Sequence, residues 1–290
     1  MTQIIRALSE ISGNYEAMFV DLWGCVHNGV TAYPEAVEAL RAYRADGGVV
    51  VLVTNSPRAR AEVYKQLEGF NVPEDCWDNI ASSGDSARAA MFTGAVGNKV
   101  WFVGVPAEAP FFEPMKLITD PVAIERVALE DAEGIVCTGP FDAAADPATL
   151  RPQLLYAKQM GLKLLCANPD IVVDRGERRE WCAGAVAALY TEMGGESLYF
   201  GKPHPPIYDL ARRRLFEVAP DLTDPSILAI GDGVKTDILG AQGEDIDSLF
   251  ITGGLAAEET LTDEHPHEEA LLAFLGREGI TPTYSIGFLR

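Results

Sequence analysis

Asp21 closes a short apolar run, Ala17-Met18-Phe19-Val20, and opens a loop punctuated by Gly24 and Gly29. Three other apolar runs end in polar groups of different chemistry. Thr54-Asn55-Ser56 follows Val49-Val50-Val51-Leu52-Val53, Gly201-Lys202-Pro203 follows Leu198-Tyr199-Phe200, and Gly231-Asp232-Gly233, with Thr236 and Asp237 beyond, follows Ile227-Leu228-Ala229-Ile230. Two carboxylates, a hydroxyl and an ammonium are what transfer of a phosphoryl group to a carboxylate requires. Asp21 would attack phosphorus in line. Asp232, with Asp21, would hold a hard divalent cation such as Mg2+. The Thr54 hydroxyl and Lys202 ammonium would hold the phosphoryl oxygens, on which charge gathers. Singly, each group has a plainer reading. Asp21 is also a turn former, Thr54 and Ser56 also cap a helix starting at Pro57, Lys202 is also a surface residue, and Asp232-Gly233 is a common turn pair.

The elements that must position these groups alternate along the chain. β-branched runs are followed by amphipathic stretches, such as the helix that Pro34 opens and Gly47-Gly48 ends. Runs that are apolar on both faces read as central parallel strands. Their alternation with helices implies βαβ units, and in an open sheet of that kind the carboxyl ends of the strands share one crevice. The expected fold is α/β, a Rossmann-like parallel-sheet core (1–82 and 184–290) with an inserted, smaller α/β domain (83–183). The four polar loops are expected at one edge of the core sheet. The acidic stretch 258–269 reads as a solvated helix surface.

Bulk properties narrow the partners. The 290 residues are 48% hydrophobic and 23% charged, a globular composition, and the net charge of −20 argues against general binding to nucleic acid or an anionic membrane. An anionic small molecule is compatible with that charge, because a bound cation sets the field inside a site. No signal peptide and no membrane-spanning run are expected. The five cysteines are dispersed, without a C-x-x-C pair, and read as free buried thiols of a cytoplasmic protein.

Taken in order, these motifs resemble those of the haloacid dehalogenase superfamily, in the class IIA subgroup with a large α/β cap between the second and third motifs, which includes p-nitrophenyl and pyridoxal phosphatases. Asp21-x-x-Gly24-x-x-x-x-Gly29 resembles the first motif and Thr54-Asn55 the second. Gly201-Lys202-Pro203 resembles the third and Gly231-Asp232…Thr236-Asp237 the fourth. Ala167-Asn168-Pro169-Asp170 resembles a cap loop, and Gly184-Ala185 a pair near the cap's exit. The resemblance implies a Mg2+-dependent phosphatase with Asp21 as nucleophile and metal ligand, and Asp232 as direct ligand. Asp237 would be a ligand through water or a partner of the ligands, and the Trp23 backbone oxygen would lie on the metal. It further implies that Thr54, Asn55, Lys202, Asn168 and Asp170 meet substrate or phosphate, and that the partner is a small phosphorylated metabolite. A homodimer is also implied.

Trp23 breaks the pattern. It occupies the position of a second aspartate that protonates the leaving alcohol and activates the hydrolytic water, and an indole N–H does neither. The expectation is slowed turnover favouring good leaving groups. The rival is a phosphate-ligand binding or regulatory protein with little catalysis. His27 is the first candidate for a substitute acid, ahead of His204 and Asp170, and its plainer reading is a packed loop histidine. Cys25 reads as a packing residue, Arg58 and Arg60 as a helix face, and Phe111-Phe112 as core.

Overall fold

The computed structural model describes residues 2–115, 118, 120–175 and 178–290. The chain begins with β1 (Gln3–Ile4), β2 (Ala17–Val20), α1 (Pro34–Ala45), β3 (Val49–Thr54), α2 (Arg60–Gly69) and β4 (Asn79–Ser82). It continues through α3 (Ser83–Phe92), β5 (Lys99–Val103), β6 (Glu125–Arg126), β7 (Gly134–Cys137), α4 (Arg151–Gln159), β8 (Lys163–Cys166), β9 (Val172–Arg175), β10 (Arg178–Trp181), α5 (Ala183–Glu192) and β11 (Glu196–Tyr199). It closes with α6 (Pro205–Val218), β12 (Ile227–Gly231), α7 (Leu239–Gly243), β13 (Asp247–Ile251), α8 (Glu268–Glu278) and β14 (Tyr284–Ile286). Two compact units result, one of residues 1–54, 64–81 and 208–290, the other of residues 55–63 and 82–207.

The first unit holds a seven-stranded sheet in the order β1-β14-β13-β12-β2-β3-β4. Every residue of β2 and of β12 is buried, as strands covered on both faces require. Their pairing is parallel, with Val20 opposite Ile230, and β3 joins the other side of β2 with Leu52 opposite Val20. The chain therefore leaves three adjacent strands at one level, which puts Asp21, Thr54 and Asp232 at the same carboxyl edge.

The second unit is built on a five-stranded sheet, β11-β8-β7-β5-β6, with parallel pairing throughout. Successive residues serve opposite faces, the period-two rule of a strand. Ile135 and Cys137 join one cluster with α4 and α5, while Val136 joins another with Ala87, Met91 and Phe111. Phe112 packs against that second cluster, so the Phe111-Phe112 pair is core, as expected.

Three expectations change here. The inserted unit runs on past residue 183, because α5 buries Ala183, Val186, Ala187 and Tyr190 against that unit's strands and β11 pairs with β8. Lys202 consequently follows a strand of the second sheet and not, as expected, a strand of the sheet that carries Asp21. The stretch 258–269 is not a helix surface: turns fill it until α8 starts at Glu268. Its threonines bond elsewhere, Thr262 Oγ1 donating to Thr252 Oγ1 at 2.8 Å and Thr260 Oγ1 to the Ala256 carbonyl at 2.7 Å, and such side-chain bonds compete with a helix. All five cysteines are buried and none is in a disulfide. Among the described residues, no helix is long and apolar enough to cross a membrane.

Candidate active site

At the carboxyl edge of the first sheet, the backbone N–H of Asp21 donates to the Ile230 carbonyl at 2.8 Å, which ties the start of this loop to the neighbouring strand. Asp21, Cys25 and Asp232 each offer a ligand atom, and these three atoms lie within 4.8 Å of one another. Cys25 and Asp232 are buried and Asp21 is partly buried. The Asp232 Oδ2 accepts from the Leu255 N–H at 3.1 Å. Backbone crowds this carboxylate from two sides: a Cβ on Gly24 or on Gly254 would stand 2.1 Å from Asp232 Oδ2. That cradle and two carboxylates suit a hard divalent cation, so the donor set fits Mg2+.

Asp237 lies one turn beyond. Its Oδ2 accepts from the Gly233 N–H at 3.1 Å and the Thr236 hydroxyl at 3.2 Å, which fixes the loop that carries Asp232. Thr54, at the end of β3, is buried.

The loop after Asp21 is organised around two rings. The Trp23 indole meets the His27 imidazole edge-on at 5.4 Å between centroids, and His27 leans on Phe70 at 4.8 Å. Trp23 also lies so close over Gly29 that a Cβ there would be 2.1 Å from the indole Cη2. His27 is 1% exposed and its Nδ1 accepts from the Gly29 N–H at 3.0 Å. Burial lowers its pKa to about 4. Its burial, ring contacts and bond from Gly29 make His27 a packing and turn-holding residue, its plainer reading, and the lowered pKa counts against a role as substitute acid.

A second polar cluster occupies the carboxyl edge of the other sheet, where β8 and β11 pair with Cys166 opposite Tyr199. Asn55 is its hub. Its Oδ1 accepts from the Lys202 N–H at 2.7 Å, and its Nδ2 donates to the Lys202 carbonyl at 3.1 Å and to Asp170 Oδ1 at 2.8 Å. Asn168 Oδ1 accepts from the Asp170 N–H at 3.0 Å, and the Gly184 N–H donates to the Asp170 carbonyl at 3.1 Å. Asn55, Asn168, Asp170, Gly184 and Lys202 thus form one hydrogen-bonded group. His204 stacks on Tyr199 at 4.7 Å, and burial lowers its pKa. Arg58 and Arg60 are exposed, Arg60 opening α2.

Two neighbours of the carboxylates escaped sequence reasoning. Cys25 is buried as its packing reading requires, but that its Sγ stands beside both aspartates was not foreseen, although its place in the same loop as Asp21 was a usable signal. The Gly254-Leu255 backbone was missed too, and its signal is the Gly253-Gly254 pair just past a fourth buried strand.

A family model described as haloacid dehalogenase-like hydrolase matches residues 18–115, and a second, HAD-hydrolase-like, matches residues 199–273. The crystal structure of a haloacid dehalogenase-like hydrolase from Brucella suis is 35% identical with a TM-score of 0.85, covering 99% of this chain and 100% of that one. The human glycerol-3-phosphate phosphatase is 27% identical over 85% of this chain and 79% of its own length. A glycerol phosphate phosphatase from Mycobacterium tuberculosis, solved in complex with magnesium, is 24% identical with a TM-score of 0.63, covering 84% of this chain and 70% of that one. The chain belongs to the haloacid dehalogenase-like hydrolases. Within them it falls in class IIA, which carries the large α/β cap, and it is a hydrolase of the phosphatase kind.

Proposed function

We propose that this enzyme hydrolyses a small organic phosphate monoester with Mg2+ bound, through an aspartyl-phosphate on Asp21, and that Trp23 slows its turnover. The observation that carries the reading is the register of β2 against β12, which delivers Asp21 and Asp232 to one edge with their oxygens inside a 4.8 Å group. Support for Mg2+ comes from the two-carboxylate donor set and from the relative solved with magnesium. Asp21, Asp232 and the Trp23 backbone oxygen would hold the ion, with Asp237 behind them. The ion supplies charge neutralisation at the phosphoryl oxygens. Thr54 and Lys202 take the roles of donors to those oxygens, and Asn55 positions Lys202 through its bonds to that residue's backbone. Asn168 and Asp170 are kept as substrate-facing groups.

In the first step an Asp21 oxygen forms a bond to phosphorus while the ester oxygen leaves with the bonding pair. In the second, water cleaves the acyl phosphate and returns Asp21. An acid at position 23 would assist both steps, and general acid–base help is worth roughly 10²–10⁴-fold, about 3–5 kcal/mol of barrier. Without it, substrates whose leaving groups need no proton should dominate. The glycerol phosphate relatives support a compact organic phosphate as natural substrate.

The missing acid also favours a second reading, a phosphate-ligand binding protein without turnover. One experiment separates the two. Hydrolysis of p-nitrophenyl phosphate that disappears in Asp21→Asn, and on chelation with recovery by added Mg2+, supports the enzyme. No turnover in the wild-type protein at any pH supports the binder.

A further inference from the structure

We propose that Cys25 is a third protein donor at the metal position, so that the site accepts thiophilic divalent cations such as Zn2+ and Co2+ through a thiolate. The inference rests on the reading that Asp21 and Asp232 hold the metal. It starts from the geometry of the three groups. The Cys25 Sγ lies within 4.8 Å of an oxygen of each aspartate, and Cys25 is 1% exposed. Around a four-coordinate zinc ion, with Zn–S about 2.3 Å and Zn–O about 2.1 Å, sulfur and oxygen stand roughly 3.6 Å apart. Closing the observed group asks for at most about 1.2 Å between the sulfur and either oxygen, and about 1.4 Å between the two oxygens, within reach of side-chain rotation. Among the described residues no other group of three histidine, cysteine or acidic side chains meets in this way.

The donor chemistry decides which ions gain. Mg2+ is hard and takes oxygen, so it would use the carboxylates and leave the sulfur aside. Zn2+ and Co2+ accept thiolate as well as carboxylate. On binding, the S–H bond breaks, the proton leaves to solvent and the sulfur lone pair forms the metal bond. The other four cysteines lie in other parts of the fold and join no such group among the described residues.

The test titrates metal-free, full-length protein with Co2+ and follows the near-ultraviolet thiolate-to-cobalt charge-transfer band. It is repeated on Cys25→Ser and Asp232→Asn, with Mg2+ and Zn2+ affinities measured by calorimetry. We expect a band in the wild type that saturates at one ion per chain and is absent from Cys25→Ser. Zn2+ and Co2+ affinity should fall at least ~10-fold in that variant, the lower end of what loss of even an indirect metal partner costs, while Mg2+ affinity holds. Asp232→Asn should lose all three ions. Co2+ binding that needs Asp232 but gives no band, or a band that survives Cys25→Ser, overturns the thiolate and leaves the carboxylate site standing. Mg2+ binding that survives Asp232→Asn overturns the metal reading and this inference with it. If Cys25→Ser does not fold, the cadmium-113 resonance of the wild type decides: a shift typical of sulfur coordination supports the proposal, and one typical of oxygen alone overturns it.

Discussion

Substituting Gly24 by alanine tests whether the backbone around Asp232 is built to the carboxylate. Gly24 has φ +71°, and a Cβ placed on it would lie 2.1 Å from Asp232 Oδ2 and 2.7 Å from its Cγ. Ordinary contact begins near 3.4 Å, so the carboxylate or the loop must give by more than an ångström. Two costs follow. The left-handed conformation charges a non-glycine residue roughly 1–2 kcal/mol. Displacing the carboxylate breaks its 3.1 Å bond from the Leu255 N–H, and a hydrogen bond to a charged group is worth about 1.5–3 kcal/mol. Gly24→Ala should therefore destabilise the metal-free protein by about 3–5 kcal/mol in urea unfolding, and weaken Mg2+ binding in the fraction that folds.

The two costs separate in a double-mutant cycle with Asp232→Ala. The three atoms nearest the added Cβ all belong to the Asp232 carboxyl group, and Asp232→Ala removes every one of them. In that background Gly24→Ala should cost only the backbone part, roughly 1–2 kcal/mol. The coupling between the two positions should then be about 2–3 kcal/mol, at the upper end of what contacting residues show. Equal costs in the two backgrounds would refute the reasoning, because the penalty would then come from the turn alone and the carboxylate would not be held where this geometry puts it.

Two further outcomes follow from the same loop. His27 has its pKa lowered by burial from the ordinary 6.5 to about 4, so the unfolded chain takes up a proton in that window and the native state does not. Stability should be full above pH ~6.5 and fall by as much as about 3 kcal/mol as the pH drops to ~4; urea unfolding of His27→Gln should show that slope reduced, and an unchanged slope would contradict the assignment. Trp23→Asp should raise kcat/KM, which reports formation of the aspartyl-phosphate, by up to roughly 10²–10⁴-fold on an alkyl phosphate and far less on p-nitrophenyl phosphate, since in that step only the poor leaving group needs a proton; a kcat/KM on the alkyl ester that stays level or falls would sink the missing-acid explanation.

The parts of this fold that were legible in the sequence are those where burial on both faces forces continuous apolar runs. β2, β3, β12 and β13 are of that kind, and once they are known to be parallel neighbours their last residues share an edge. Asp21, Thr54 and Asp232 were readable for that reason. Sheet membership was not, because a buried parallel strand looks the same whichever sheet it joins. Leu198-Tyr199-Phe200 gave no sign that it pairs with Leu165 and Cys166, so the strand before Lys202 was assigned to the wrong sheet. Cys25 escaped for a related reason: a thiol in a buried loop reads as a small apolar group until its neighbours are known.

Trp23 shows where single-position reading stops. Read alone, it is an aspartate gone missing. In the structure it is one member of an interlocked loop in which Gly29 has no side chain beneath the indole, His27 meets the ring's edge, and the Gly29 N–H occupies the imidazole Nδ1. An aspartate at position 23 would leave part of the buried imidazole without its neighbour and an open space over Gly29. The gain in acid catalysis and the loss in packing therefore come from the same substitution. They are separable because the gain in the phosphoryl-transfer step scales with the leaving group and the loss of stability does not: a variant that is less stable whatever the substrate, yet gains more in kcat/KM on alkyl esters than on p-nitrophenyl phosphate, is what this loop requires.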